Sequence, residues 1–200
     1  MNLKHKFLAT LVSVVASCSA FASSSLSFQD VTFSTQALDT DTLRFTITGA
    51  DTASGDWSGV HFIKAFAFKD IGEIASFNVV SGPSFATIAE SGRELNARGC
   101  TGGNSGGACF TFSQPAALTS TMSWTIDFVA AAGTQLDFSA PHLKVDFFTT
   151  VTDRKSTGSL LSQNMVPTVT AVPEPESYAL FLAGLAGVAA MVRRRKNRSL

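Results

Sequence analysis

Apolar and polar side chains alternate through several stretches of this chain, and that period of two limits what it can fold into. Met122, Trp124, Ile126 and Phe128 alternate with Thr121, Ser123, Thr125 and Asp127; Leu43, Phe45 and Ile47 alternate with Arg44, Thr46 and Thr48; Leu143, Val145 and Phe147 repeat the pattern. Successive side chains of a strand point to opposite faces, so each run makes a strand with one dry and one wet face, as in antiparallel sheets. Val60–Phe68 differs. Phe62, Phe66 and Phe68 fall on one face and Ile63, Ala65 and Ala67 on the other, which predicts a central strand covered on both sides, with Lys64 obliged to reach a rim. Turn-forming clusters such as Ser54-Gly55-Asp56, Ser81-Gly82-Pro83 and Thr157-Gly158 separate the runs. Strands are predicted at 26–33, 42–48, 59–68, 74–80, 84–88, 109–113, 121–130, 142–150 and 157–162. Spacing of this kind predicts an all-β domain, a single antiparallel β-sandwich of jelly-roll or Ig-like type.

The two ends break the pattern. Lys4, His5 and Lys6 precede an apolar run from Phe7 to Val15, followed by Ala20-Phe21-Ala22. A positive segment, an apolar segment and an A-x-A site make residues 1–22 a signal peptide, to be removed by signal peptidase after use of the export machinery. At the other end, Pro173-Glu174-Pro175 is extended and presents one carboxylate, because proline fixes φ and lacks an N–H. Residues 178–192 then carry no charge, and Arg193, Arg194, Arg195, Lys196 and Arg198 follow. As a helix those fifteen residues would rise about 22 Å, against a hydrocarbon core of about 30 Å. The predicted transmembrane helix is therefore short, with snorkelling arginines to complete it and the basic cluster on the cytoplasmic side. Gly184 and Gly187 with Ala183, Ala186 and Ala190 give it a small-residue face.

Pro-Glu-Pro, a short apolar span beginning Tyr178-Ala179-Leu180 and a terminal arginine cluster together resemble the PEP-CTERM sorting signal of Gram-negative bacteria. The resemblance implies recognition and cleavage of the tail by a membrane enzyme, exosortase, in cells that make extracellular polysaccharide. It covers about the last 29 residues and is silent on activity. An ordinary single-span anchor is the competing reading. The chain thus divides into a signal peptide (1–22), a β-sandwich domain (23–165), a linker (166–172) and a sorting and anchor segment (173–200), with polar, Pro-containing Ser162–Ala171 read as tether.

Of 15 basic and 15 acidic residues, seven basic and two acidic lie in the terminal segments, which leaves the central domain 8 basic against 13 acidic. A net negative domain has no electrostatic footprint for nucleic acid. Once Cys18 leaves with the signal peptide, Cys100 and Cys109 remain across a Gly-rich loop, and export to an oxidising compartment favours a disulfide between them. The rival, a metal pair, lacks the further ligands and tighter spacing zinc requires.

A second resemblance involves Trp57-Ser58-Gly59-Val60, Glu94-Leu95-Asn96-Ala97-Arg98-Gly99-Cys100 with Cys109, His142-Leu143-Lys144-Val145 and Gly158-Ser159-Leu160-Leu161-Ser162. Together these are similar to a group of PEP-CTERM exported proteins over about residues 42–165, and that group brings no catalytic residues to carry over. His61 and His142 lack the HExxH spacing and no Ser sits in a G-x-S-x-G elbow. Loop carboxylates at Asp39-Thr40-Asp41 and Asp51 to Asp56 are solvated by default, with Ca²⁺ as the alternative. Trp57 is either a ligand-facing platform for a sugar ring or a plug over the sandwich end; Trp124 belongs to the core. Phe dominates the aromatics and the lone Tyr178 lies in the tail, a composition suited to a core more than to a sugar site.

The expectation is a non-enzymatic chain, without cofactor or metal, that partners exosortase and the membrane through residues 178–192. Its role would be structural or adhesive at the cell surface or in a polysaccharide biofilm matrix. A carbohydrate-binding module for extracellular polysaccharide comes second and an envelope hydrolase third.

Overall fold

The computed structural model describes residues 21–83, 87–91, 93–102, 107–168 and 182–186, with backbone only for 87–91. Residues 21–169 form one compact unit. Of the other, 1–20 with 170–200, only the helical residues 182–186 are described. Residues 1–20 of the expected 1–22 signal peptide, the Pro173-Glu174-Pro175 motif, most of 178–192 and the basic cluster at 193–198 lie outside the described residues. Among those described, no helix is long and apolar enough to cross a membrane.

Eleven strands are found among the described residues: β1 Ser23–Phe28, β2 Val31–Ala37, β3 Thr42–Thr48, β4 Phe62–Lys69, β5 Ile74–Ser81, β6 Thr87–Ser91, β7 Gly107–Ala117, β8 Thr121–Ala130, β9 His142–Phe148, β10 Leu161–Asn164 and β11 Val166–Pro167. They make two antiparallel sheets, ordered β11-β1-β2-β3-β8-β5 and β10-β9-β4-β7-β6. Six and five strands exceed the seven or nine of the immunoglobulin fold and the eight of a jelly roll.

The alternating apolar residues of both sheets meet in one core. Phe33, Phe45 and Trp124 of the first sheet and Phe66, Phe68, Phe110 and Phe147 of the second are wholly buried. Rings touch across the gap: Phe45 lies 4.9 Å from Phe66, Trp124 5.2 Å from Phe66, and Phe33 6.4 Å from Phe147. Each fully buried Phe contributes about 1.5–3 kcal/mol, and edge or offset ring pairs about 0.5–1.5 kcal/mol more. This ring cluster is what holds the sheets together.

Three local features depart from the sequence reading. Residues 26–33, predicted as one strand, are a hairpin: Gln29 and Asp30 adopt φ of 51° and 64°, and Phe28 pairs with Val31. Two consecutive positive φ values make a tight turn whose twist matches the strands, although the sequence lacks the usual Asn-Gly. Second, β4 contains a bulge between Ile63 and Ala65. It turns Lys64 out of the core, so that its Nζ donates to the Asp153 carbonyl and lies 4.1 Å from the Phe148 ring centroid. Third, the segment read as tether is partly sheet. β10 pairs with β9 and β11 with β1, with Met165 of this segment and Leu161 just before it buried in the core; few apolar anchors suffice where the backbone pairs at a sheet edge.

Candidate functional site

The residues that stand out in sequence become clasps. Trp57 lies in a 3₁₀ turn, Gly55–Trp57, and is completely buried. Its ring stands edge-on to Phe147 at 4.9 Å and Phe28 at 5.1 Å, and its Nε1–H donates to the Ser159 carbonyl at 2.8 Å. No ring face is left for a sugar, so the ligand-facing reading of Trp57 is corrected: it plugs the end of the domain. The neighbouring residues complete the closure. The Gln29 Oε1 accepts the Trp57 N–H at 2.9 Å, and Asp56 Oδ2 accepts the Ser159 N–H at 3.0 Å and hydroxyl at 2.5 Å. The Ser159 hydroxyl leads the interactions that hold the Asp56 carboxyl below its ordinary range. A Cβ on Gly158, at φ 69°, would sit 2.3 Å from the Asp56 carbonyl oxygen, so the close approach of the two loops requires glycine there. Trp57-Ser58-Gly59 and Gly158-Ser159, far apart in sequence, are two halves of one lock.

The second clasp covers the outer face of the second sheet. Cys100 and Cys109 are joined, with Cα atoms 5.7 Å apart. The bond ties the loop carrying Leu95 to β7, and Leu95 and Cys100 pack on Ala65 and Ala67, which explains why β4 is apolar on both faces. Lys144 donates to Glu94 Oε1, and Lys69 Nζ lies 3.5 Å from the same oxygen. The Lys144 hydrogen bond is the main reason the Glu94 carboxyl titrates below its ordinary range.

Beneath this cover lies a group the sequence did not single out. Asp146 of β9 is fully buried, and neither carboxylate oxygen has a hydrogen-bond partner among the described residues. Burial pushes its pKa up to about 7; the nearby Ala65 N–H and the Lys64 charge pull the other way, neither forming a hydrogen bond to it. Alternation alone places Asp146 on a wet face. Its register partner Ala65 belongs to the covered patch with Leu95 and Cys100, a proximity that period two does not show.

The other candidates separate. Because Phe62 pairs with Phe148 and Lys69 with His142, His61 and His142 lie at opposite ends of β9, about 20 Å apart at strand rise, too far for one zinc ion. The His142 ring nitrogens lie 2.5 Å from Asn164 Oδ1 and 3.0 Å from Ser162 Oγ. Asp39 accepts the Asp41 and Thr42 N–H groups at 2.9 and 2.6 Å, and these bonds, led by that of Asp41, hold its carboxyl low. It shapes the β2–β3 turn.

Among the described residues, an open polar face and a groove lie on the first sheet. Its outer face is exposed or half-buried along β1, β2, β3 and β8. Where the outer side of β8 ends, an open groove of about 490 Å³ is lined by Thr40, Asp41, Val129, Thr134, Gln135 and Leu136, among others. Val129 is 54% exposed in it. An outward Val on an otherwise polar face was a visible signal; the loop residues opposite it were not.

No curated protein and no solved structure matches the chain. Residues 171–196 match the family model for the PEP-CTERM protein-sorting motif, so this is a chain that carries a PEP-CTERM sorting motif downstream of an all-β domain.

Proposed function

We propose that the chain is an exported, exosortase-sorted protein whose β-domain is delivered to the cell surface or extracellular matrix, where its role is structural or adhesive and not enzymatic. The observation that carries this reading is the sorting motif over residues 171–196, which implies export, a membrane-anchored sorting signal and processing by exosortase. Two features support it. The Cys100–Cys109 bond suits an oxidising compartment. The strongest sequence elements of the domain, around Trp57, Glu94 and Ser159, serve as clasps, which suits a display domain built to persist outside the cell.

The test is Glu174→Ala. If the rigid Pro-Glu-Pro segment presents a carboxylate for recognition, this variant is exported and folded but accumulates as full-length membrane-bound protein in fractionated cells. Release of the variant at the wild-type level would show that Glu174 is not read; wild type and variant alike staying membrane-bound with residues 193–200 attached would favour a plain anchor.

A further inference from the structure

The outer face of the first sheet carries a pattern that only strand register makes visible. Ser25 pairs with Ser34, Ser34 with Thr46 and Thr46 with Ser123, which places four hydroxyl side chains in one row across β1, β2, β3 and β8. The adjacent row is Ser27, Thr32, Thr48 and Thr121, and the next is Ser23, Gln36, Arg44 and Thr125. Ten of these twelve positions are Ser or Thr. Neighbouring rows are about 6.8 Å apart and neighbouring columns about 4.8 Å apart. Arg44 and Asp127 are the charged residues on these four strands.

A soluble domain ordinarily spreads Lys, Glu, Asp and Arg over an exposed sheet face, because mixed charge keeps it monomeric and soluble. Here charge is nearly absent from this exposed face, although the domain as a whole is acidic. Cross-strand bonds such as Ser27 to Thr32 at 3.1 Å and Thr46 to Ser123 at 3.0 Å use part of the hydroxyl capacity. Each hydroxyl has one donor and two acceptor sites, so outward-pointing capacity remains along every row. The β3–β8 columns run past Thr42 and Asp127 towards the groove, where Val129 and Leu136 are apolar, Thr40, Thr134 and Gln135 are neutral polar groups and Asp41 is the one charged residue of the lining.

We infer that this face is the adhesive surface of the protein and that its partner is an extended, neutral polysaccharide lying along the β3–β8 columns with one end in the groove. The inference rests on the matrix reading above and names its partner. Neutrality follows from the missing charge: an anionic polymer would meet one arginine and the field of a net negative domain, and nucleic acid or an anionic membrane would meet the same obstacle. Extension follows from the repeat, since single hydroxyl contacts exchange with water at little net gain and only many in register accumulate affinity.

The experiment uses purified full-length protein in detergent, mixed with insoluble cellulose, mannan and curdlan, and with alginate beads as the anionic contrast. Wild-type protein is expected to be retained on at least one neutral polymer, with retention little changed between about 0.05 and about 1 M salt, where surface charge effects are screened. Thr32→Glu with Ser123→Glu should lower that retention by about tenfold or more. Thr152→Glu, an exposed position in the loop after β9, should leave it unchanged. Thermal melting of both variants, whose three substitutions all fall at exposed sites, checks that the fold is intact. Absence of retention on all three neutral polymers, retention on alginate alone, or retention unchanged by the double variant would each overturn the inference. Tail processing is not involved in this assay, so a failure here leaves the sorting reading standing, and a failure of sorting leaves this result interpretable.

Discussion

Asp146 is a residue that works against the fold at neutral pH. Its carboxyl has a folded pKa of about 7 against an ordinary value of 3.8, so between these values the folded state binds the proton and the unfolded state does not. Stability therefore falls as pH rises through this window, with the cost absent below the lower value and complete above the upper one. Over about three pKa units the cost is on the order of 4 kcal/mol. Asp39, Asp56, Glu94, Asp137 and Asp153 have the opposite sign: their carboxyls are held low by hydrogen bonds, so they stabilise the fold above the ordinary carboxylate range and lose that contribution in acid. A pH profile of the wild-type protein mixes the two, and the difference between wild type and Asp146→Asn isolates one. In urea titrations the gain in stability of Asp146→Asn over wild type should be small near about pH 4 and grow by several kcal/mol to about pH 8. A gain that does not change with pH would show that Asp146 is not a buried, proton-holding acid.

At the scale of elements, much of the fold was legible from period two alone. β3, β8 and β9 fall where Leu43, Trp124 and Val145 alternate with polar neighbours, and the double-sided apolar pattern of β4 correctly required cover on both faces. The hairpin at Gln29-Asp30 was not legible, because Gln is a poor turn residue. Its place there follows from the side chain, which reaches Asp56 and the Trp57 N–H. β10 was met only at its first two residues by the strand expected at 157–162, its remainder and β11 being hidden by their polarity, and the hydroxyl rows were hidden because register is a property of pairs of strands and not of any one of them. Trp57 shows the same limit from the other side: its residue type fits either a sugar platform or a plug, and only the loop around Ser159 decides between them. The loop held by Cys100 and Cys109 is the element most open to test. A ring of this size stabilises by about 2–3 kcal/mol through loop-closure entropy, and losing it also loosens Leu95 and Cys100 from Ala65 and Ala67. Cys100→Ser and Cys109→Ser should lower thermal stability by similar amounts, and non-reducing peptide mapping should recover the two cysteines linked. Two free thiols in the exported protein would contradict the pairing.

At the scale of the whole molecule, the domain and the motif have different relations to function. The β-domain is a hydrophobic core closed by a tryptophan plug at one end and a disulfide-tied cover on one sheet, with its other sheet left open. The motif over residues 171–196 implies export of that domain with a membrane-anchored sorting signal. Its three parts were legible because each is a simple physical device: proline-fixed backbone, an uncharged span and a block of positive charge. The partner of the domain was not legible in the same way, since no single residue encodes it. The most direct measurement is the C-terminal peptide of the mature protein, identified by mass spectrometry from cells that contain exosortase. Cleavage at the sorting segment predicts a mature chain that ends before the basic cluster, with no peptide from residues 193–200; mature protein that still carries Arg193, Arg194 and Arg195 through Leu200 would contradict the account.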